Sequence, residues 1–92
     1  MGYFSTDRNT QMANKLWDEN REKLRVLLKE LRKDAGLTQV ELSDVLGKPQ
    51  SYVSKYETGE RNLDYVEIND ICKALDIPME KFNRLYEKHT LS

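Results

Sequence analysis

The sequence predicts an all-α fold, a compact domain built from five helices. Beyond position 2, its only glycines and prolines divide the chain into helix-sized pieces: Gly36, Gly47, Gly59, Pro49 and Pro78. Between them the apolar residues recur at spacings of three and four, as on one face of a helix. The sequence has no Asn-Gly or Asp-Gly hairpin signal and no sustained two-residue alternation typical of strands. A length of 92 residues fits one small domain.

The composition narrows the class of protein. No run approaches the roughly 18 apolar residues of a membrane span, and no basic-then-apolar signal peptide opens the chain, so we expect a cytoplasmic protein. The net charge of -1 gives no global attraction to nucleic acid, but residues 48–63 carry three basic side chains against two acidic ones. Any site for a polyanion must therefore be local.

The titratable residues give no sign of an enzyme, a metal site or a cofactor site. Cys72 is the only cysteine and lies on an apolar helical stripe, so we interpret it as a reduced core thiol. His89 is the only histidine and lies far from Cys72 in sequence, which leaves no set of metal ligands. The chain also lacks a glycine-rich phosphate loop, a nucleophile motif and a pair of carboxylates suited to acid–base catalysis.

Residues 1–20 are predicted to form an N-terminal arm or a short helix, which precedes a domain of residues 21–89. Residues 1–10 have the composition of a disordered or loosely docked arm. Residues 11–20 predict a short helix that could also continue into the first helix of the domain, because no helix breaker separates them. Trp17 packs on its own domain in one interpretation and anchors a dimer in the other, since tryptophan is enriched at interface hot spots.

The first strong helix is predicted in NREKLRVLLKELRKDAG, residues 20–36. Its leucines follow the i, i+3, i+4, i+7 spacing of a buried helix face: Leu24, Leu27, Leu28 and Leu31. Gly36 can end the helix, because glycine readily adopts the left-handed conformation found at helix C-termini.

The second helix is predicted in TQVELSDVLG, residues 38–47. Thr38 and Glu41 have the spacing of a capping box, in which each side chain accepts a hydrogen bond from a free backbone N–H at the helix start. Gly47 ends the helix. We expect Val45 and Leu46 to face the core. Either Val40 or Leu42 should face it with them.

Glycine, proline and capping residues also mark the boundaries of the remaining three helices. The third is predicted in KPQSYVSKYETG, residues 48–59, with Pro49 at or beside its first turn. The fourth starts near Asp64, has Glu67 at capping-box spacing, and carries an apolar stripe: Ile68, Ile71, Cys72 and Leu75. The fifth begins at Pro78 and carries a further apolar stripe: Met79, Phe82, Leu85 and Tyr86.

Helices two and three have the pattern of a helix-turn-helix. Both are short, and a turn of Gly47, Lys48 and Pro49 joins them. Ser43 is small enough to let the two helices approach closely, and Gly47 can adopt the left-handed conformation that the sharp turn needs. Val53 then returns an apolar side chain to the core.

The segment LTQVELSDVLGKPQSYVSKYETGERNL, residues 37–63, resembles the helix-turn-helix of the phage repressor and Cro-like family, often called XRE-type. The Thr-Gln start with its Glu and Leu, the turn glycine and the Tyr-Glu-x-Gly ending occur together in the right order. The resemblance covers residues 21–77 and implies a lambda-repressor-like fold that binds double-stranded DNA.

The resemblance also implies roles for individual residues. Gln39 matches the position that hydrogen-bonds a DNA phosphate, beside the free N–H groups at the start of the second helix. Three residues of the third helix would face base edges in the major groove, with a tyrosine at the edge of that face: Gln50, Ser51 and Lys55, with Tyr52. Four residues flank them within reach of phosphates: Lys48, Ser54, Arg61 and Asn62. Arg32 and Glu57 match a structural ion pair between the first and third helices.

We therefore expect a sequence-specific DNA-binding transcription regulator, a repressor, that reads the major groove with residues 49–57. It would act as a homodimer on a pseudo-palindromic operator, and it needs no cofactor. The dimer contact is expected on the fifth helix or around a tryptophan near the N-terminus, and the sequence does not decide between them: Phe82, Leu85 and Tyr86, or Trp17.

Two further points stay open at this level. Tyr52 could stack on Tyr56, or it could contact a phosphate or a thymine methyl group. The function could also be that of a protein-interaction module or an antitoxin-type component with the same fold, which acts mainly through a protein partner such as a toxin.

Overall fold

The computed structural model describes the backbone of residues 7–89 and the side chains of residues 18–89. Its five helices are α1 (Asp7–Asp34), α2 (Gln39–Val45), α3 (Tyr52–Thr58), α4 (Tyr65–Ala74) and α5 (Met79–Lys88). No strand occurs within residues 7–89. The predicted all-α, five-helix fold is confirmed.

Helix α1 is much longer than the first helix that the leucine pattern predicts. It spans 28 residues and continues without a break through residue 20, where the sequence places the boundary between arm and domain. That boundary stays a prediction. Residues 1–6 and the side chain of Trp17 lie outside the described residues. Leu27 and Leu28 are buried, which confirms the predicted inward face of this helix.

The core draws buried apolar side chains from all five helices and from the end of α4: Leu27, Leu28, Leu42, Tyr52, Val53, Tyr56, Ile71, Cys72, Leu75 and Phe82. The predicted apolar stripe of α4 is confirmed, with Ile68 partly buried beside the fully buried members. Cys72 is a free, buried thiol, as predicted. Burial disfavours the charged thiolate and raises the pKa of Cys72 to about 11.

Helix α2 faces the core with a different side from the one that the sequence suggests. Leu42 is buried, which decides the choice between Val40 and Leu42. Val45 is 61% exposed, so the expectation that it faces the core is wrong. Ser43 is fully buried and takes the core-facing position instead. With Leu42 and Ser43 pointing inward, the helical repeat turns Val45 to the side.

Two capping boxes fix where α2 and α4 begin, both as predicted. At α2, the Thr38 Oγ1 accepts the Glu41 N–H at 3.0 Å, and the Glu41 Oε1 accepts the Thr38 N–H at 2.8 Å. At α4, the Asp64 Oδ1 accepts the Glu67 N–H at 2.8 Å, and the Glu67 Oε1 accepts the Asp64 N–H at 3.0 Å. Each box satisfies two backbone donors that the start of a helix leaves free.

The turn between α2 and α3 is built as predicted, but α3 begins later than expected. Gly47 has a φ of 68°, the left-handed conformation that glycine adopts without steric cost. Helix α3 begins at Tyr52 rather than beside Pro49. The reason is a separate turn, in which the Tyr52 N–H donates to the Pro49 carbonyl at 2.9 Å. Gln50 and Ser51 therefore lie in the turn that leads into the helix.

Ser43 joins α2 to the start of α3. Its Oγ accepts the Val53 N–H at 3.2 Å and donates to the Gln50 carbonyl at 3.3 Å. Ser51, at the N-cap position of α3, makes no capping hydrogen bond with its side chain. Ser43 thus satisfies, from a neighbouring helix, a donor that an N-cap residue normally satisfies within its own helix.

Candidate nucleic-acid interface

The outward face of the helix-turn-helix is formed by polar side chains just before α3 and within it. Gln50, Ser51 and Lys55 are exposed, and Ser54 is half-buried. Among residues 18–89, no hydrogen bond or ion pair of this chain uses the side chains of Gln50, Ser51 or Lys55. These three side chains are therefore free to bind another molecule.

A shallow cleft adjoins this face and is lined by Lys48, Pro49, Ser51, Tyr52, Lys55 and Arg61. Three of these six residues are cations, in a chain whose net charge is only -1. A local concentration of positive charge is what binding to a phosphodiester requires. The cleft brings Lys48 and Arg61, both predicted to bind phosphate, together with Lys55, which is predicted to contact bases. Asn62 is exposed in the loop that follows.

On its inner side, α3 is tied to α1 by an ion pair between the two residues that the resemblance points to. The Arg32 Nε donates to Glu57 Oε2 at 2.8 Å, and the Arg32 Nη2 donates to Glu57 Oε1 at 3.1 Å. The Arg32 Nη1 also donates to the Leu37 carbonyl at 2.8 Å, which ties the loop before α2 to the pair. The hydrogen bond to Glu57 raises the pKa of Arg32, against the opposing effect of burial.

Gln39 is attached to the same carboxylate. Its Nε2 donates to Glu57 Oε1 at 2.9 Å. Because an ionised carboxylate can only accept, the amide nitrogen of Gln39 must face it, and this nitrogen carries two hydrogens. One N–H therefore remains for another acceptor, and Glu57 fixes the direction in which it points.

Tyr52 is packed into the domain and does not extend over the outward face. It is 7% exposed, and its hydroxyl donates to Glu67 Oε2 at 3.0 Å. Its ring meets Tyr56 edge-on, with centroids 5.6 Å apart and ring planes at 79°. Burial and the hydrogen bond to Glu67 raise the pKa of Tyr52 to about 12. The contact with Tyr56 is thus present, and a contact with a base or a phosphate stays a prediction.

Arg61 and Lys48 lie against the same tyrosine. The guanidinium carbon of Arg61 is 5.3 Å from the centroid of the Tyr52 ring, and the Lys48 Nζ is 5.5 Å from it. The Arg61 Nη2 also forms a hydrogen-bonded ion pair with Glu67 Oε2, which raises the pKa of Arg61. The Arg61 backbone N–H donates to the Lys55 carbonyl at 3.2 Å. Tyr52 and Glu67 therefore hold two cations at the cleft.

Sequence reasoning missed the roles of Ser43 and Glu67. It gave Ser43 only a steric role, although a buried serine, unlike an alanine, needs a partner for its hydroxyl. It gave Glu67 only a capping role. A capping box uses one carboxylate oxygen, so the second oxygen of Glu67 was the available signal for a further contact.

The residues predicted for a dimer contact lie on α5 at one edge of the core. Phe82 is 4% exposed, so its side chain serves the core of this chain and offers almost no surface to a second copy. Leu85 and Tyr86 are half-buried. The Tyr86 hydroxyl donates to the Asn20 carbonyl at 3.1 Å, and the Lys23 Nζ lies 4.4 Å from the centroid of the Tyr86 ring. These contacts hold α5 against α1.

Two other kinds of feature are not found in the part of the chain that the structure describes. No three side chains of histidine, cysteine, aspartate or glutamate come together there in a way that could hold a metal ion. No helix there combines the length and apolar character needed to cross a lipid bilayer. The outward face beside α3 and its cationic cleft form the candidate site because of their exposed polar side chains and their positive charge.

Comparisons with known proteins agree with this geometry. A family model described as helix-turn-helix matches residues 28–82. A solved structure of an XRE-family like protein from Pseudomonas syringae pv. tomato str. DC3000 is similar to this chain, with a TM-score of 0.77 and 37% sequence identity. The similarity covers 83% of this chain and 93% of the other. A search of curated protein sequences found no significant match.

Proposed function

The chain belongs to the XRE-type helix-turn-helix family of DNA-binding transcription regulators, and we propose that it is a sequence-specific repressor. It would bind a pseudo-palindromic operator in double-stranded DNA as a homodimer and block transcription by occupying it. The observation that carries the proposal is the outward face of the helix-turn-helix, just before α3 and along it, and we assign α3 as the recognition helix. Gln50, Ser51 and Lys55 are exposed there and have no partner among the described residues, while the helix is fixed on its inner side.

Gln50 and Lys55 have the chemistry needed to read bases in the major groove. Glutamine can pair with adenine through two hydrogen bonds, and lysine can donate to guanine O6 and N7. Gln50 lies in the turn at the N-terminal end of α3, the end of a recognition helix that contacts base edges. Each good contact of this kind is worth about 1–3 kcal/mol of discrimination between bases.

Phosphate contacts would come from both sides of the outward face. On one side, Gln39 would donate the N–H that Glu57 leaves free. On the other side, the cleft would supply Lys48 and Arg61, with Ser54 and Asn62 beside it. Such contacts fix the orientation and register of the protein on the duplex and carry no sequence information themselves.

A homodimer would place two recognition helices about 34 Å apart, one turn of DNA. We propose that the contact between the two copies uses α5, through Leu85 and Tyr86 at the edge of the core, with Trp17 as the other candidate. A small domain has limited stability of its own, so association of two copies would also stabilise the fold. Sedimentation equilibrium with and without Leu85→Glu tests the contact on α5.

A protein-interaction module is the second candidate function, because two large apolar side chains are exposed on the first turn of α4. These are Tyr65 and Val66. Such a module, or an antitoxin-type component, would act through a protein partner such as a toxin. Salt distinguishes the two functions, since a duplex binder with about six phosphate contacts loses about a thousandfold in affinity between 50 and 200 mM salt.

Selection of bound duplexes from a random pool, followed by sequencing, tests the proposed function. We expect enrichment of an inverted repeat whose half-sites lie one helical turn apart. The same experiment gives the preferred bases. No enrichment of any duplex, or binding that does not respond to salt, would favour the interaction module.

Two variants of matched chemistry test the residue roles. Gln50→Ala should relax the preference at one base position, whereas Gln39→Ala should weaken binding to all duplexes about equally. Each variant is the control for the other, because both replace a glutamine by alanine. Equal and uniform losses from both would contradict the roles proposed for them.

A further inference from the structure

The two capping boxes of the domain differ in one respect. Glu41 and Glu67 both use Oε1 to accept the N–H of the N-cap residue. At Glu67, the other oxygen accepts the Tyr52 hydroxyl at 3.0 Å and an N–H of Arg61. No such contact of the second Glu41 oxygen occurs among residues 18–89. Glu67 therefore carries a negative charge that directly borders the cationic cleft.

The Glu67 carboxylate is held in place by donors from three segments of the chain. Its side chain is 15% exposed, and it accepts from the Asp64 N–H, the Tyr52 hydroxyl and the Arg61 guanidinium. Burial alone would raise the pKa of Glu67, but these hydrogen bonds outweigh burial, and the pKa is lowered. The carboxylate is therefore ionised at neutral pH. The Asp64 N–H and the Tyr52 hydroxyl would still hold it in place if Arg61 turned toward another partner.

We propose that Glu67 is an internal counter-charge, which competes with DNA phosphate for Arg61 and so limits the affinity of the protein for DNA of any sequence. The proposal rests on the function proposed above. It is distinct from the capping role, because a capping box works with either glutamate or glutamine at this position. The negative charge is therefore not needed to begin α4.

The position of the charge explains its effect on binding. Arg61 is one of the three cations that line the cleft. A phosphate bound there must share the Arg61 guanidinium with a carboxylate of the same sign, and like charges at short range repel. Because sequence-independent affinity comes almost entirely from contacts between cations and phosphates, one internally paired cation lowers the affinity for every duplex.

Glu67→Gln tests the proposal, since it removes the charge and keeps the hydrogen-bonding groups of the capping box. The affinity for a duplex of arbitrary sequence is measured by fluorescence anisotropy over a range of salt concentrations. We expect E67Q to bind more tightly than the wild type, with a plot of log affinity against log salt that steepens by up to about 0.9, the value for one phosphate contact. The gain at 50 mM salt should then exceed the gain at 200 mM salt by about threefold.

Two further variants separate this effect from a general loss of negative charge. E41Q removes the same charge from the other capping box and should raise the affinity less than E67Q does. In an R61M background, E67Q should no longer steepen the salt dependence, because the cation that it releases is absent. A gain of equal size in E41Q, or a gain that persists without Arg61, overturns the proposal.

Failure of this proposal and failure of the proposed function give different results. If the wild type binds no duplex, the proposed function fails and the counter-charge role fails with it. If the wild type binds in a salt-dependent manner and E67Q binds no more tightly, only the counter-charge role is refuted. Circular dichroism at the assay temperature shows whether each variant is folded when its affinity is measured.

Discussion

One Arg–Glu ion pair holds α3 on its inner side and a second holds the loop that follows α3, and the two pairs differ in their exposure to water. The side chains of Arg32 and Glu57 are 8% and 3% exposed, whereas those of Arg61 and Glu67 are 47% and 15% exposed. Both pairs join an arginine to a glutamate, but the first is shielded from water and the second is partly exposed to it. The buried pair connects α3 to α1, and the exposed pair connects the loop after α3 to α4.

This difference separates the stability of the domain from its proposed binding to DNA. A buried charge must keep its partner, because removal from water makes an unpaired ion very unfavourable. An exposed pair contributes little to stability, since water and salt screen it. The pair of Arg32 and Glu57 therefore fixes the position of α3, and the pair of Arg61 and Glu67 can exchange a partner without unfolding the domain.

The largest expected effect is on the buried pair. Arg32→Met should lower the free energy of unfolding by about 3–5 kcal/mol, because it leaves the Glu57 carboxylate buried without its cation. Arg61→Met is the matched control and should leave the unfolding midpoint nearly unchanged. Urea denaturation followed by circular dichroism measures both variants. Equal midpoints for the two variants would contradict the distinction between the pairs.

A second test concerns the other attachment on the buried side, between α2 and α3. Ser43→Ala should lower the free energy of unfolding by about 1–3 kcal/mol, because it leaves the Val53 N–H buried without an acceptor. Ser51→Ala, at the N-cap position of α3, should cost much less, since the Ser51 side chain makes no capping hydrogen bond. If the two variants unfold at the same urea concentration, the cap of α3 does not come from α2.

A smaller effect is expected on the exposed side, where Tyr52 donates to Glu67. Tyr52→Phe keeps the packed ring and should lower the free energy of unfolding by about 0.5–1.5 kcal/mol, the usual contribution of one hydrogen bond. Tyr56→Phe is the control, because the Tyr56 hydroxyl is buried and makes no hydrogen bond to the described residues. That variant should be neutral or slightly stabilising in thermal melts. If Tyr52→Phe leaves the free energy of unfolding unchanged, the hydroxyl of Tyr52 does not stabilise the domain through Glu67.

The smallest expected effect is a dependence of stability on acid pH that comes from Glu67. Its pKa is lowered in the folded state, so its contribution is present above the unfolded pKa of about 4.3 and is lost as pH falls through the folded pKa. Between neutral pH and about pH 3, the urea midpoint should therefore decrease slightly more in the wild type than in E67Q. An equal fall in both proteins would mean that Glu67 gains no stabilisation from its partners.

Most of the helix boundaries could be predicted because their signals are local in sequence. The capping boxes at Thr38 and Asp64 need residues only three positions apart, and the left-handed turn at Gly47 needs one glycine. The wrong prediction of which side of α2 faces the core also has a local reason. A helix of seven residues completes less than two turns, so the apolar pattern does not fix which side faces inward. The expectation that Val45 faces the core is wrong for this reason.

The contacts that build the candidate site could not be predicted from local patterns. The hydrogen bonds of Ser43 to Val53 and of Tyr52 to Glu67 join residues 10 and 15 positions apart, across different helices. Arg32 and Glu57 are 25 positions apart, and only the family resemblance pointed to them. Long-range pairs of this kind depend on how the helices pack, which no single stretch of sequence specifies.

The three exposed side chains of Gln50, Ser51 and Lys55 take no part in holding the described domain together. Substitutions at these positions should therefore change which duplex is preferred and leave the unfolding midpoint nearly constant. At these three positions, the side chains proposed to read bases are not the ones that hold the domain together, so a designed library can vary them without loss of the fold.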